Sequence, residues 1–405
     1  MGSPTVLSLP LKSVAMHDCA SFLPTYASDT SGVCSALYEL GGLTVVHDAS
    51  GCNSTYSTFD EPRWYDQESL IYISGLTEFE AILGDEERFI KNIVETALEL
   101  KPNFIALCGS PMPLVLGTDF VALAKEIEGQ TKIPTLGLKT NGMDSYLLGE
   151  AKAWQSLVEI LQLPKKTKKN GQILVNLLGL SPLDFGLFEL SALKTWLNSE
   201  DLSFNASLAL GTNWEELQNL TSAKVNLVLS AAALSSAKYL EETFGIPYVL
   251  GRPYGAFGKI LASNIHEAAK DGKSYTLTRE NLKANEASPI LIIGEVISAS
   301  SLASALAHEH LLNLAETQIF SPLELTQNLL GPKDLGGLED ENLCQAQINK
   351  AKLIIADPLY QVLVPKEIPF VPYPHPAFSG RIYLDKLPNL YQDSLKTWFR
   401  QEEIC

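Results

Sequence analysis

Apolar residues along this chain fall into short continuous runs separated by longer stretches of helical periodicity. The runs read LTVVH (43–47), LIYIS (70–74), FIALC (104–108), ILVNLLG (173–179), VNLVLS (225–230), PYVLG (247–251), ILIIG (290–294), LIIAD (353–357) and PFVPY (369–373). Runs this short, apolar at consecutive positions and rich in Val, Ile and Leu, suit strands buried on both faces. Between them the pattern predicts helices over 85–100, 119–128, 234–244 and 299–307. Strand and helix alternating in this way predict an α/β fold of parallel sheets covered by helices.

Two polar stretches interrupt the series. PKKTKKNG at 164–171 is basic and has no apolar period, and 271–288 is polar and ends in Ser288-Pro289; a fresh strand follows each. The expected organisation is three Rossmann-like units, at 1–165, 171–285 and 286–375, with a helical tail over 376–405. The first unit carries four of the six cysteines. No short internal repeat is visible, but three units of similar size suggest three versions of one layered architecture.

Composition narrows the partners. The chain has 405 residues, 46% of them hydrophobic and 19% charged, with a formal net charge of −17. A chain of this length exceeds what one core serves, and it has ample material to bury. The negative charge disfavours nucleic acid and anionic membrane surfaces, and suits solvation or a docking field for a basic partner. No run approaches the roughly 18 apolar residues of a membrane span, and the first residues lack a basic segment ahead of an apolar one. The expectation is a cytoplasmic protein.

The familiar nucleotide and hydrolase signatures are missing. GRPYGAFGKI (251–260) fails the phosphate-loop pattern and reads as turns at strand ends; no GxGxxG follows a strand and no GxSxG elbow is present. Cysteine placement is more informative. Six cysteines (Cys19, Cys34, Cys52, Cys108, Cys344, Cys405) are too scattered for a disulfide scaffold and include no CxxC. Cys52 stands in the polar loop HDASGC just beyond a strand, and Cys108 closes FIALC ahead of Gly-Ser-Pro. In doubly wound sheets strand carboxyl ends form the ligand crevice, so both belong on one rim. Thiolates without histidines at zinc spacing suit an iron–sulfur cluster better than zinc. For Cys108 a small buried hydrophobe is the competing assignment. Cys34 lies in a helical pattern with Val33, Ala36, Leu37 and Leu40, which suits packing.

With these residues in view, the chain resembles the component 1 proteins of nitrogenase and nitrogenase-like enzymes, among them the catalytic chains of dark-operative protochlorophyllide reductase and nickel-sirohydrochlorin diamide reductase. HDASGC resembles the family's His-Gly-x-x-Gly-Cys, with Cys52 in the place of a cluster ligand. TEFEAILGDEERFIKNI (77–93) is similar to its helix entry, LVLGTDF (114–120) to its Gly-Asp-Asp turn, and VNLLG (175–179) to the strand opening its second domain. YLEETFGIPYV (239–249) and ADPLYQVLVPKEIPFVPYPHPAFSG (356–380) resemble its second and third domains. The departures are local. Where the family's first cluster cysteine usually stands, this chain reads Ala27-Ser28, flanked by Cys19 and Cys34; where the third stands it has Pro111, with Cys108 three residues earlier. The strand that bears nitrogenase's cofactor cysteine here ends Leu229-Ser230-Ala231, while His375 stands within one position of the family's histidine.

The resemblance implies three Rossmann-like domains around a central pocket, and paired subunits, as a homodimer or with a paralogous component 1 chain. It also implies an iron–sulfur cluster of 4Fe–4S type near their interface. Cys52, Cys108 and Cys19 are its expected ligands in this chain. An ATP-hydrolysing Fe protein would supply electrons, consistent with no nucleotide site on this chain, and a small-molecule substrate would bind among the domains. His375 is the expected proton donor or orienting group, against the plainer role of a hydrogen-bonded histidine at a strand end. The absent thiolate at 229–231 argues against a nitrogenase-type metal cofactor. Two other readings stay open: a scaffold for metal-cluster assembly, and a subunit without a cluster that binds a small molecule in a heteromeric complex.

Overall fold

The computed structural model describes residues 27–49, 61–84, 86–161, 163–164, 171–276, 289–325, 328–336, 341–391 and 394–402. Among these residues thirteen strands form three wholly parallel sheets, each drawn from one stretch of chain. The first contains β1 (Leu43–His47), β2 (Leu70–Ile73), β3 (Ile105–Gly109) and β4 (Thr135–Gly137), in the order β2-β1-β3-β4. The second contains β5 (Ile173–Leu180), β6 (Leu202–Ala209), β7 (Val225–Val228) and β8 (Tyr248–Leu250), in the order β6-β5-β7-β8. The third contains β9 (Ile290–Ile293), β10 (Thr317–Ser321), β11 (Leu335–Gly336), β12 (Leu353–Ala356) and β13 (Phe370–Pro372), in the order β11-β10-β9-β12-β13.

Each sheet reverses its winding direction once. The reversals fall between β1 and β3, between β5 and β7, and between β9 and β12, and a crevice opens at the carboxyl end of each such pair. The predicted strands are all present. The structure adds β4, β6, β10 and β11. β4 and β11 are very short; β6 and β11 sit at sheet edges, and in β6 (LSFNASLA) Ser203 and Asn205 stay partly exposed. Such positions lack the continuous apolar run by which central strands announce themselves.

Helices cover the sheets, and their closest contact joins the first stretch of chain to itself. Helix Asp29–Leu37 crosses helix Tyr146–Ile160 through two glycines: a Cβ on Gly32 would lie 2.1 Å from the Tyr146 carbonyl oxygen, and one on Gly149 1.8 Å from that of Asp29. Trp154, Leu157, Cys34 and Leu37 fill the space beside that crossing. GRPYGAFGKI makes the expected turn after β8, and from Phe257 it continues as helix Phe257–Asp271. The tail returns to the body of the protein: Leu390, Leu395 and Phe399 are buried, and Glu309 accepts from the Leu395 amide.

Candidate functional site: the first-sheet rim and the central ion network

At the reversal of the first sheet, β1 and β3 run side by side with Val46 opposite Cys108 and His47 opposite Gly109. The polar residues that follow are tied together. The Ser110 hydroxyl donates to Asp48 Oδ1 at 2.6 Å, and Ser74 Oγ lies 2.8 Å from His47 Nδ1. The His47 ring packs on Phe89 at 4.2 Å between centroids, and burial pushes its pKa down to about 4, so it is neutral near pH 7.

Cys108 is fully buried, and its thiol donates toward the Val45 carbonyl at 3.7 Å. Its neighbour is Cys34, and the bond between the two thiols, together with burial, holds Cys108 well above the ordinary thiol range. As it stands Cys108 is a neutral thiol in the core beside Cys34. Cys52 and Cys19 lie outside the described residues. Among the described residues no group of three or more His, Cys, Asp or Glu side chains is arranged to hold a metal ion. The described part of the rim therefore does not by itself compose a donor set for a cluster.

What the rim does present is apolar surface. Helix Glu78–Leu83 follows β2 and is closed at its start by a capping box between Thr77 and Glu80, yet buries none of its residues. Phe79, Ile82 and Leu83 are 71%, 81% and 62% exposed. Helix Pro111–Leu116 follows β3 and buries only Pro113, leaving Leu114 and Val115 at 54% and 80%. Since β1 lies between β2 and β3, these two helices follow the strands on either side of β1. Isolated exposed apolar residues are ordinary, whereas large contiguous apolar patches mark contact surfaces.

The second and third sheets meet at a second place, through side chains that stand just beyond strand ends. Asp184 follows β5, Arg252 follows β8, Glu295 follows β9, Asp357 follows β12 and His375 follows β13. Tyr146 joins them from the first stretch, at the start of its helix. His375 Nε2 lies 2.7 Å from Asp184 Oδ1, which also accepts from the Tyr146 hydroxyl at 2.6 Å. The guanidinium of Arg252 lies 3.7 Å from Asp184 Oδ2 and 3.6 Å from Glu295 Oε2, donates to the Leu229 carbonyl at 2.9 Å, and stacks on Phe185 at 3.9 Å. Tyr254 and Tyr373 share a hydroxyl contact of 3.0 Å, and Tyr373 reaches Ser298 at 2.5 Å.

Charge in this network follows from its partners. Burial raises Asp184, but the His375 bond and the Arg252 charge outweigh it and hold the carboxyl below its usual range. Burial and the nearby Asp184 charge drive Glu150 well above its usual range, so it is a neutral acid bonded to Ser181. Glu295 is also raised, by burial against the opposing effect of Arg252. The adjoining cavity, lined by Glu295, Ser298, Asp357, Tyr373, His375 and Phe378, has a volume of about 10 Å³, room for about one water. Two carboxyl groups and an imidazole around so small a space, with Ser230 where a thiolate would be needed, do not fit a nitrogenase-type metal cofactor.

The family model for nitrogenase component 1 type oxidoreductases matches residues 32–267, more than half of the chain. The chain belongs to this family. Among curated proteins, this component 1 chain is 27% identical over 289 residues to the nitrogenase iron-molybdenum cofactor biosynthesis protein NifE of Clostridium pasteurianum, covering 66% of this chain and 61% of that protein. It is 24% identical to the biosynthesis protein NifN of a Nostoc species, covering 60% and 57%. It is 23% identical to a light-independent protochlorophyllide reductase chain of Heliobacterium modesticaldum, covering 57% and 45%. The chain thus spans about half to three-fifths of the length of these relatives. A solved structure titled "Nitrogenase Cp1 at pH 6.5" superposes with a TM-score of 0.66 at 17% identity, over 95% of this chain and 93% of that one, which shows that the fold is shared.

Of the expected site residues, the structure places His375 in the component 1 chain's central network and Cys108 in its core. Tyr146, Asp184, Arg252 and Glu295 were not expected. Their common signal was available: each of the last three is a charged residue within four positions of an apolar strand end.

Proposed function

We propose that this chain is part of a nitrogenase-like oxidoreductase, joined to a second component 1-type chain over the rim of its first sheet. Cys52 is the proposed ligand of a 4Fe–4S-type cluster at that interface, with Cys19 and Cys108 as further candidates and the partner completing the set. An ATP-hydrolysing Fe protein is the proposed electron source. Such a cluster, when bound, supplies one-electron transfer. The observation that carries this reading is the pair of exposed apolar helices, Glu78–Leu83 and Pro111–Leu116, that follow the two strands flanking β1.

His375 is the proposed proton donor or orienting group, held by Asp184 and Tyr146. Because the adjoining cavity admits about one water, a larger substrate reaches His375 only by displacing the side chains around it. The test is anaerobic purification with iron, sulfide and light-scattering measurements on the same sample. Iron and sulfide in an oligomer, both lost in Cys52→Ala, support the proposal. A monomer without iron overturns it.

The similarity to NifE and NifN favours a second reading, a scaffold on which a metal cluster is assembled. Turnover with an Fe protein separates the two: the scaffold holds iron and shows none.

A further inference from the structure

His375 has two ring nitrogens in unequal surroundings. Nε2 faces Asp184 Oδ1 at 2.7 Å and the Tyr146 oxygen at 3.3 Å. Nδ1 is buried and has no hydrogen-bond partner, and the ring lines the cavity of about 10 Å³ with Glu295, Ser298, Asp357 and Tyr373. The backbone is fixed as well, since the His375 amide donates to Asp357 Oδ2 at 2.8 Å and the ring packs on Phe378 at 4.8 Å.

We infer that Asp184 is the positioning residue of His375: it keeps the ring proton on Nε2 and leaves Nδ1 as the atom that takes up and returns protons at the cavity. The inference rests on the proposed proton-handling role of His375. Asp184 Oδ1 receives two donors, Nε2–H and the Tyr146 hydroxyl, and carries the negative charge that both favour. Arg252, 3.7 Å from Oδ2, keeps that carboxylate ionised. Were the proton on Nδ1, the bare Nε2 lone pair would face a carboxylate oxygen 2.7 Å away, a repulsive contact in a buried setting.

The proton balance is simple. The neutral ring accepts one proton at Nδ1 from an acidic O–H or N–H group bound in the cavity, leaving that group's conjugate base, becomes an imidazolium flanked by the Asp184 anion, and returns that proton from the same atom. Asp184 neither gains nor loses one. The groups facing the ring are Asp184 and Tyr146 on one side, and Glu295, Asp357, Ser298 and Tyr373 on the cavity side; Arg252 acts through Asp184.

The test is 15N NMR of the full chain labelled at its six histidines, with His375 assigned by its loss in His375→Gln. The expected wild-type spectrum of the neutral ring shows a protonated Nε2 and a bare Nδ1. In Asp184→Ala the Nδ1–H form should appear as a substantial fraction. Tyr146→Phe, which keeps the carboxylate, should retain the wild-type pattern. A wild-type ring protonated on Nδ1 and bare on Nε2 overturns the inference without any variant, so a variant that fails to fold leaves it testable. An unchanged tautomer in folded Asp184→Ala overturns it as well. Unchanged turnover in His375→Gln would instead remove the proton-handling role while leaving the tautomer result standing.

Discussion

Replacing Arg252 by Met isolates the electrostatics of the central network. The side chain is 1% exposed, and its stem and stacking surface on Phe185 are largely reproduced by Met. What disappears is the only arginine or lysine charge paired with Asp184 and Glu295 among the described residues, at 3.7 and 3.6 Å, and the donor to the Leu229 carbonyl. Removing one partner of a buried ion pair costs about 3–5 kcal/mol, because the remaining charge is left without compensation. The orphaned carbonyl adds about 1–3 kcal/mol. Protonation of one carboxylate limits the total, so a loss of about 4 kcal/mol near pH 8 is expected.

That loss should depend on pH. In Arg252→Met, Glu295 loses the charge that opposes the effect of its burial and Asp184 loses one of the influences that hold it low, so the folded variant binds protons more readily than folded wild type. The variant's deficit is therefore reduced at low pH, where these carboxyls can be protonated, and grows as pH rises. The deficit relative to wild type should be smallest near pH 5 and largest near pH 8. Urea unfolding at both pH values, followed by tryptophan fluorescence, measures it. A deficit below about 1 kcal/mol, or one equal at the two pH values, would refute the claim that Arg252 is the counter-charge of this network.

Burial holds His47 at about 4, against an ordinary value of 6.5. The unfolded state therefore binds the extra proton between those values, and stability falls by on the order of 3 kcal/mol as pH drops from 7 to 4; His47→Phe should flatten that part of the stability profile. Cys52→Ala is expected to remove most of the iron from anaerobically prepared protein. If Cys108 stays paired with Cys34 in the core, Cys108→Ala and Cys34→Ala should leave iron equally unaffected, and a selective loss in Cys108→Ala would show that it serves as a ligand. Ile82→Asp and Val115→Asp, both at exposed positions, should weaken subunit association in light scattering without lowering the melting temperature of the chain; an unchanged oligomer would move the interface elsewhere.

The layered α/β architecture was legible because central parallel strands are buried on both faces and must be apolar at consecutive positions, as in LTVVH and ILIIG. Of the strands that escaped notice, β4 and β11 are short and β6 lies at a sheet edge, where burial demands less of the sequence, while in β10 (TQIFS) Thr317, Gln318 and Ser321 leave no continuous apolar run. The place of His375 just past a strand end was also legible. Its partners were not. Asp184 lies 191 residues away, and Tyr146, whose hydroxyl meets the same carboxylate, 229 residues away.

The environment of Cys108 was likewise decided by tertiary structure. Sequence placed it at a strand end, and a residue there can point to the crevice or into the core. The crossing of helix Asp29–Leu37 over the first sheet brings Cys34 beside it, and a buried neighbour of the same kind keeps the thiol neutral. Local sequence determines which segments become strands and which residues end them, because those choices follow from periodicity and burial within a few residues. Which strand ends meet, and therefore which charges compensate one another, depends on how three sheets pack, and that is set by contacts among residues far apart in the chain.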